Sequence, residues 1–279
     1  MECLVMAGVL YVVATPIGNL EDFSRRGADI LGSVATIAAE DTRRTRVLLE
    51  AIGVSGIPLV ALHTHNEAAI SADLIGRLRA GDDVALVSDA GTPLVSDPGF
   101  ELVRACWEAG VAVRPVPGAS AVAAVLSVCP LPAERYLFEG FLPARPGQRR
   151  ERLRELLAGD VAVVFFEAPH RIAETLGELT DLAPERRVMV GREMTKVHEQ
   201  YLCGPPEQVR ATLEAGGQFR GEFVCLLERS GQAQAPAEVR RTMEILAREL
   251  APAQAARLGA ALLGRNKREL YDLAMDLRD

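Results

Sequence analysis

Short apolar runs alternate with helical periodicity through the first 128 residues of the chain. The apolar runs predict five strands, at residues 9–14, 35–39, 59–62, 83–88 and 112–115. Between them, apolar positions three and four apart predict helices at residues 24–31, 42–52, 67–79 and 99–109. Gly53, Gly81 and Gly110 follow three of these helices, where a left-handed cap is common. Strands that alternate with helices favour a mostly parallel sheet, so the first half should be an α/β domain.

The pattern changes after an apolar helix at residues 119–128. Two prolines within residues 129–133 indicate a linker, and a second α/β domain should begin near residue 135. Its predicted strands are 161–167, 187–192 and 222–228, and its predicted helices are 148–157, 170–182 and 206–215. Residues 231–236 predict a flexible joint before a helical tail that is broken near Gly264. We therefore expect three units, at residues 8–128, 135–230 and 237–279.

Composition and charge restrict the class of protein. The chain has 279 residues, of which 49% are hydrophobic and 25% charged, values typical of globular domains. Because 31 basic and 38 acidic residues give a net charge of −7, any contact with nucleic acid must come from a local basic cluster. The apolar runs fall short of the roughly 20 residues of a membrane helix. Five scattered cysteines without a C-x-x-C spacing fit reduced thiols, so we expect a cytoplasmic, soluble protein with no membrane partner.

The residues that follow the predicted strands are rich in glycine, proline and polar side chains. Ligands of parallel sheets bind beyond the carboxyl ends of the strands, so these loops are candidate binding residues. No G-x-G-x-x-G and no G-x-x-x-x-G-K-[ST] occurs, which argues against dinucleotide-binding dehydrogenases and P-loop NTPases. No G-x-S-x-G supports a serine hydrolase. His63 and His65 could share a metal, but no further ligand lies nearby in sequence, so we expect no metal site.

Seven motifs occur together in an order that is similar to one protein family. They are Thr15-Pro-Ile-Gly-Asn-Leu20, Ala39-Glu-Asp-Thr-Arg43, Ser88-Asp-Ala-Gly-Thr-Pro-Leu-Val-Ser-Asp-Pro-Gly99, Glu139-Gly-Phe-Leu-Pro143, Glu167-Ala-Pro-His-Arg171, Gly191-Arg-Glu-Met-Thr-Lys196 and Gly221-Glu-Phe-Val224. From about residue 10 to residue 228, the chain resembles the branch of the tetrapyrrole methylase superfamily that methylates ribose 2′-oxygens in ribosomal RNA. Residues 267–271 resemble the helical extension of that branch, and residues 1–7 would be an additional leader. The resemblance implies a two-domain α/β fold that binds S-adenosylmethionine in the cleft between the domains.

The resemblance also implies which residues form the site. The expected cofactor contacts are Gly91, Thr92, Pro93, Val95, Ser120 and Ala121 in the first domain and Phe166 in the second. The corrin- and porphyrin-modifying branches usually carry Gly-Asp-Pro where this chain has Gly91-Thr92-Pro93, which favours ribose methylation. The ionisable candidates in the motifs are Glu40, Asp41, Glu167, His170, Glu193 and Lys196, and the sequence does not rank them. We select Lys196, Glu193 and Glu167 as catalytic candidates.

Lys196 is one of only two lysines in the chain. An ammonium can lose its proton when desolvated or can stabilise a developing alkoxide, whereas a guanidinium stays protonated. The alternative is a surface lysine or an ion pair with Glu193 or Glu199.

An RNA substrate needs phosphate contacts, and arginines concentrate at two places. One cluster is Arg43, Arg44 and Arg46, and the other is Arg145, Arg149, Arg150, Arg152 and Arg154. The second cluster lies beside Gly147, just after an expected turn at residues 140–143, and predicts a mobile basic loop at the cleft mouth. The alternative is a solvated helix with Arg–Glu pairs that involve Glu151 and Glu155. The candidate substrate contacts are Arg43, Arg149, Arg150, Arg152, His170 and Arg171.

Three functional hypotheses follow. The first is a methyltransferase that acts on the ribose 2′-oxygen of a cytidine in 16S ribosomal RNA of the small subunit. The family resemblance suggests that this enzyme would be a homodimer. The second is a tetrapyrrole methyltransferase of the same fold. The third is a non-catalytic RNA-binding protein, which would have basic surface but no cofactor cleft.

Overall fold

The first half of the chain folds around a five-stranded parallel sheet. The structure, a computed structural model, describes residues 7–230, 236–263 and 266–277. The strands are β1 (Val9–Val13), β2 (Thr36–Ala39), β3 (Leu59–Ala61), β4 (Val84–Val87) and β5 (Ala112–Val116). The helices are α1 (Arg25–Leu31), α2 (Thr42–Ala51), α3 (Glu67–Arg79), α4 (Phe100–Glu108) and α5 (Ala121–Val128). The strand order is β3-β2-β4-β1-β5, which confirms the predicted parallel sheet.

The second half forms a mixed five-stranded sheet. Its strands are β6 (Tyr136–Phe141), β7 (Ala162–Glu167), β8 (Val188–Arg192), β9 (Gln200–Gly204) and β10 (Phe223–Leu227). Its helices are α6 (Pro146–Ala158), α7 (Ile172–Leu182) and α8 (Pro206–Ala215). The strand order is β6-β7-β10-β8-β9, with β6 and β7 parallel and the other neighbours antiparallel.

Two expectations for the second half were wrong. The turn expected at residues 140–143 is wrong, because residues 140 and 141 belong to β6. The sequence predicted neither β6 nor β9. The register of β6 against β7 shifts between Phe138 and Gly140, so the strand lacks simple alternation of apolar and polar residues. The mobile loop expected around Gly147 is wrong as well, since this segment is helical: α6 begins at Pro146, and Gly147 lies in its first turn.

The apolar cores show how the two halves meet. The first sheet has buried residues on both faces, as a parallel sheet with helices on both faces requires. One face of the second sheet packs on its own helices. The other face packs on Ile17, Val122 and Val125, so α5 and the loop after β1 contact the second sheet directly. The division into units at 8–128 and 135–230 remains a proposal, since α5 shares a core with the second half.

The last three helices form a small group with its own core. They are α9 (Pro236–Glu249), α10 (Pro252–Leu263) and α11 (Lys267–Asp276), and they bury Met243, Ala256 and Leu270 among others. The predicted break near Gly264 is confirmed by the end of α10 and the start of α11. The predicted joint at residues 231–236 and the leader at residues 1–7 lie, except for residues 236 and 7, outside the described residues. Among the helices described, none is long and apolar enough to span a membrane.

Candidate active site

A cleft of about 380 Å³ opens at the carboxyl ends of the two sheets. Loops after β1, β2 and β4 line it from the first half, together with the start of α5. The ends of β6 and β7 line it from the second half. Because β10 runs antiparallel to β7 and β8, its first residues also lie at this edge. The lining residues are Ile17, Glu40, Arg44, Asp89, Ala90, Ser96, Asp97, Ala121, Phe141, Phe166, Glu167, Ala168, Pro169, Met194, Gly221, Glu222, Phe223 and Val224.

The turn predicted to hold the cofactor is hydrogen-bonded to the loop after β1 and to the residues just before α5. The N–H of Gly91 donates to the carbonyl of Thr15 at 3.0 Å, and the N–H of Thr15 donates to the carbonyl of Gly91 at 2.8 Å. The Thr92 hydroxyl donates to the carbonyl of Ala119 at 3.1 Å. Gly91 is buried and has φ +81°, a conformation that favours glycine. A side chain at Gly91 would therefore strain the turn itself.

Some of the other predicted cofactor residues line the cleft, and the rest pack or cap the elements around it. Ala121 and Phe166 line the cleft from opposite halves. Val95 packs in the same apolar cluster, Ser120 caps α5 by accepting the N–H of Ala123, and Pro93 is buried. Of the seven predicted residues, Ala121 and Phe166 are therefore among the lining residues of the cleft, and the other five are not.

Carboxylates form the polar floor of the cleft on the first half. Glu40 Oε2 accepts the N–H of Asp89 at 3.2 Å, and Asp89 Oδ1 accepts the N–H of Asp41 at 3.0 Å. Arg44 lies 3.3 Å from Asp89 Oδ2, yet burial raises the pKa of Asp89. Burial also raises the pKa of Asp97 to about 6, with the Ser88 hydroxyl opposing the shift and the charges of Glu40 and Asp89 adding to it.

Sequence reasoning missed Asp89 and Asp97 as candidates, although both lie in the quoted Ser88 to Gly99 motif. Their position in the loop between β4 and α4, at the carboxyl end of the first sheet, was the signal that could have identified them. Asp41, which was a candidate, caps α2 instead and pairs with Arg43 at 2.7 Å. Hydrogen bonds from Arg43 lower the pKa of Asp41, so this carboxylate is a poor proton acceptor.

Lys196 is held between two carboxylates beside the cleft. Its Nζ lies 2.9 Å from Glu193 Oε1 and 3.0 Å from Glu222 Oε2, and Glu222 lines the cleft. Burial lowers the pKa of Lys196, but hydrogen bonds to Glu193 and Glu222 more than compensate, and the net shift is upward. The ammonium is therefore kept protonated. The ion pair with Glu193, which the sequence left as the alternative, is therefore present, and the raised pKa argues against acceptance of a proton by Lys196.

Glu193 orients this ion pair. Its Oε1 accepts the N–H of Glu222 at 2.9 Å as well as the Lys196 ammonium. Burial raises the pKa of Glu193, but hydrogen bonds from Lys196 and the Glu222 amide outweigh it and lower the pKa overall. A Cβ at Gly221 would lie 2.5 Å from the Glu193 Cγ, so the carboxylate side chain folds directly over a glycine.

The loop after β8 packs on the loop after β1. A Cβ at Gly18 would lie 2.4 Å from Lys196 Cγ and 2.8 Å from Thr195 Oγ1. Both Glu193 and Thr195 have positive φ, at +49° and +65°. Such strain persists only where surrounding structure enforces it, and it concentrates at functional sites.

Glu167 is fully engaged by its own neighbourhood. Oε1 accepts the N–H of Ala168 at 2.8 Å and Arg171 Nε at 2.6 Å, while Oε2 accepts the Thr175 hydroxyl at 2.7 Å. The side chain is fully buried against Arg171. These contacts anchor Arg171 and the start of α7, whereas the neighbouring His170 is exposed.

Comparison with known proteins agrees with this geometry. Residues 9–209 match the family described as Tetrapyrrole (Corrin/Porphyrin) Methylases, and residues 233–278 match the RsmI C-terminal HTH domain. Ribosomal RNA small subunit methyltransferase I of Xylella fastidiosa strain Temecula1 is 47% identical over 95% of this chain and 98% of its own. The Pseudomonas aeruginosa protein of the same name is 43% identical over 96% of this chain and 97% of its own. The chain belongs to the ribosomal RNA small subunit methyltransferase I family.

Solved structures show the same fold at low sequence identity. Diphthine synthase has a TM-score of 0.60 at 17% identity and covers 79% of this chain and 90% of its own. Cobalt precorrin-4 methyltransferase has a TM-score of 0.56 at 15% identity and covers 79% of this chain and 94% of its own. The tetrapyrrole-methylase-like α/β fold is therefore confirmed.

In the second arginine cluster, Arg149, Arg150, Arg152 and Arg154 lie on α6 and pair with carboxylates, whereas Arg145 precedes the helix. Arg149 is only 1% exposed, and its guanidinium contacts Glu174 at 2.9 Å and Glu178 at 3.0 Å on α7. Arg150 pairs with Asp181 of α7 at 3.0 Å. A buried guanidinium joined to two carboxylates links α6 to α7 and is not presented to a ligand.

The rest of the cluster is more accessible. Arg152 bridges Glu139 at 2.7 Å and Glu155 at 2.6 Å, and Arg154 pairs with Glu151 at 2.7 Å. These contacts are those of a solvated helix with Arg–Glu pairs, which was the alternative considered from sequence. Arg43 in the first cluster is 86% exposed at the start of α2.

The two histidines once considered for a metal lie in the loop after β3. The rings of His63 and His65 are 6.1 Å apart between centroids. In the part of the chain that the structure describes, no group of three or more potential ligands is placed to hold a metal ion.

Proposed function

We propose that the protein transfers a methyl group from S-adenosylmethionine to the ribose 2′-oxygen of a cytidine in 16S ribosomal RNA of the small subunit. The observation that carries the proposal is the cleft of about 380 Å³ to which both halves contribute. Its size is within the range of small-molecule sites. Membership of the methyltransferase family over nearly the whole chain supports the reaction class.

The lining of the cleft fits this cofactor chemically. Apolar and aromatic surface from Ile17, Ala121 and Phe166 suits a flat adenine ring, and the carboxylates Glu40 and Asp89 suit ribose hydroxyls or a cationic group. The turn at Gly91, Thr92, Pro93 and Val95, with Ser120 and Ala121, would hold the cofactor from the first half, and Phe166 from the second. The cofactor supplies an electrophilic methyl group when bound.

Protein side chains then need to lower the barrier at the ribose oxygen. Lys196, kept protonated by Glu193 and Glu222, would stabilise the negative charge that develops on this oxygen. Asp97 is a better candidate for the proton acceptor than Glu167, because its pKa of about 6 leaves it ionised and basic near neutral pH. Glu167 would act as a positioning residue, since both its oxygens already accept hydrogen bonds.

We propose the RNA contacts from the exposure of the basic side chains and from their position relative to the cleft. Arg43 and His170 are exposed beside the cleft-lining residues Arg44 and Pro169. Arg150 and Arg152 are half-buried and Arg171 is mostly buried, so each would contact phosphate only in competition with its acidic partner. Arg149 is assigned instead to stability. The proposal also includes a cytoplasmic location and a homodimeric enzyme. The name of the related proteins supports ribosomal RNA as the substrate.

The test is methyl transfer from labelled cofactor to immature small subunits, with the modified nucleotide located by nuclease digestion and mass spectrometry. We expect one labelled ribose. The variant Ala121→Trp should abolish both transfer and binding of S-adenosylhomocysteine, because Ala121 lines the cleft. Its matched control is Ala123→Trp, two residues along the same helix and exposed, which should retain both. The proposal would be refuted if the parent enzyme left the RNA unlabelled, or if the two variants were equal in methyl transfer and in binding of S-adenosylhomocysteine.

A further inference from the structure

Phe141 is an aromatic ring at the mouth of the cleft that the mechanism above does not use. It lines the cleft and is 57% exposed. A single exposed apolar side chain is common on protein surfaces and implies nothing by itself. The way in which the strand directs this side chain is the informative feature.

A bulge in β6 places Phe141 on the cleft side of the second sheet. In a regular strand, residues three apart face opposite sides, so Phe138 and Phe141 would point apart. The register shifts at Gly140, however, and Phe138 pairs with Val164 while Phe141 pairs with Phe166. Val164 and Phe166 both belong to the apolar cluster that faces α5. The bulge therefore brings Phe141 to the same face as Phe138, as bulges near active sites commonly redirect a side chain.

Glycine is required for this redirection. Gly140 has φ +73°, and a Cβ there would lie 2.8 Å from the Oγ of Ser96 in the loop of the first half. The bulge thus fits against the loop that carries Asp97. The backbone next to Phe141 thus lies close to the first half, at Ser96, and the ring of Phe141 contacts Phe166 of the second half.

One side of the Phe141 ring is supported and the rest is open. Phe166 contacts it edge to face at a centroid distance of 5.5 Å and an interplanar angle of 64°. Phe166 in turn contacts Phe138 at 5.1 Å. This row of three rings fixes the orientation of Phe141 without covering it, which is the geometry of a stacking platform.

We infer that Phe141 stacks on a nucleobase of the RNA at the mouth of the cleft, an inference that rests on the proposed function. Aromatic side chains recognise the unpaired bases of single-stranded RNA by stacking on them, whichever base is present. A small cofactor is mostly enclosed when bound, so its ring belongs against the half-buried Phe166. The ring at the solvent side is the one that a macromolecular substrate reaches first.

The experiment compares Phe141→Ala, Phe141→Leu and Phe141→Trp in methylation of immature small subunits under kcat/KM conditions, with calorimetric binding of S-adenosylhomocysteine measured in parallel. Loss of stacking on one base should lower kcat/KM for RNA by about 5- to 150-fold in Phe141→Ala. Phe141→Leu should be similarly impaired, whereas Phe141→Trp should retain most activity because it keeps a π-face. Affinity for S-adenosylhomocysteine should change less than about twofold in all three, a shift of about 0.4 kcal/mol or less.

Tyr136→Ala is the matched control, since Tyr136 is a half-exposed aromatic residue at the opposite end of the same strand. It should leave kcat/KM unchanged. If Phe141→Leu retains parental activity, or if cofactor affinity falls as much as RNA activity, the stacking inference is wrong. A parent enzyme that is inactive on RNA would overturn the proposed function together with the inference, whereas an active parent with an insensitive Phe141→Ala variant overturns the inference alone.

Discussion

Replacement of Arg149 by alanine should destabilise the protein without weakening RNA binding. The guanidinium is 1% exposed and contacts Glu178, which is 13% exposed, and Glu174, which is 63% exposed. The pair with Glu174 should contribute less than about 1 kcal/mol, because that carboxylate is largely solvated. Removal of Arg149, however, leaves the buried Glu178 carboxylate without its partner. Loss of one partner from a buried pair typically costs about 3–5 kcal/mol, and the cavity left by the side chain adds to the loss.

The assay is urea unfolding followed by circular dichroism, with Arg154→Ala as the control. Arg154 lies on the same helix, is 51% exposed and pairs with the exposed Glu151. The free energy of unfolding should fall by about 3–5 kcal/mol for Arg149→Ala and by less than about 1 kcal/mol for Arg154→Ala. The double variant Arg149→Met with Glu178→Leu should recover much of the loss, since apolar replacement of a buried ion pair is often neutral.

RNA binding separates this structural role from phosphate contact. Each phosphate neutralised by a cation adds about 0.7 to 0.9 to the slope of log K against log salt concentration. We expect the slope for Arg149→Ala to equal that of the parent. A reduced slope together with unchanged stability would refute the assignment of Arg149 to the α6–α7 contact.

Three further predictions concern the cleft and its supporting contacts. With both substrates saturating, Lys196→Met should lower the single-turnover rate about tenfold or more, whereas Lys267→Met, the other lysine, should not; equal rates would remove Lys196 from the mechanism. Gly18→Ala should lower the free energy of unfolding by about 1–3 kcal/mol, because the added Cβ would clash with Lys196 and Thr195. Gly177→Ala, which has open space around it within α7, should raise the free energy of unfolding by about 0.5–1 kcal/mol. Melting temperatures that shift in the same direction in the two variants would contradict this prediction. The raised pKa of Asp97 means that the folded state keeps a proton that the unfolded chain has lost, so stability should fall as pH rises from about 4 to about 6, and Asp97→Asn should remove that dependence. Identical pH profiles of melting temperature for parent and variant would exclude this role of Asp97.

The elements predicted best are those whose pattern is local. All five strands of the first half were predicted to within two residues, because each is a short apolar run bounded by a polar loop or a helix. The break between α10 and α11 was predicted from Gly264, because glycine disfavours a helix interior. The turn at Gly91 was placed near a ligand by resemblance to a family, and its contacts with Thr15 and Ala119 could not be read from spacing.

The elements that were missed depend on pairing with a distant strand. In β6, the bulge at Gly140 breaks the alternation that would mark a strand, so the sequence indicated a turn. Its register is set by β7, which lies about twenty residues later in the chain. The direction of Phe141 follows from that register and is invisible in the sequence.

The sequence by itself determined the alternation of strands and helices, the position of the loops at the carboxyl ends of the strands, and the motifs that mark the family. These follow from local periodicity and residue type, which need no knowledge of long-range contacts. Only the tertiary structure decided that Arg149 is a buried link between helices, that Lys196 is paired with Glu193 and Glu222, and that burial raises the pKa of Asp97 to about 6. The charge and exposure of an ionisable side chain depend on groups that are distant in sequence, because desolvation and Coulomb interactions act through space and not along the chain.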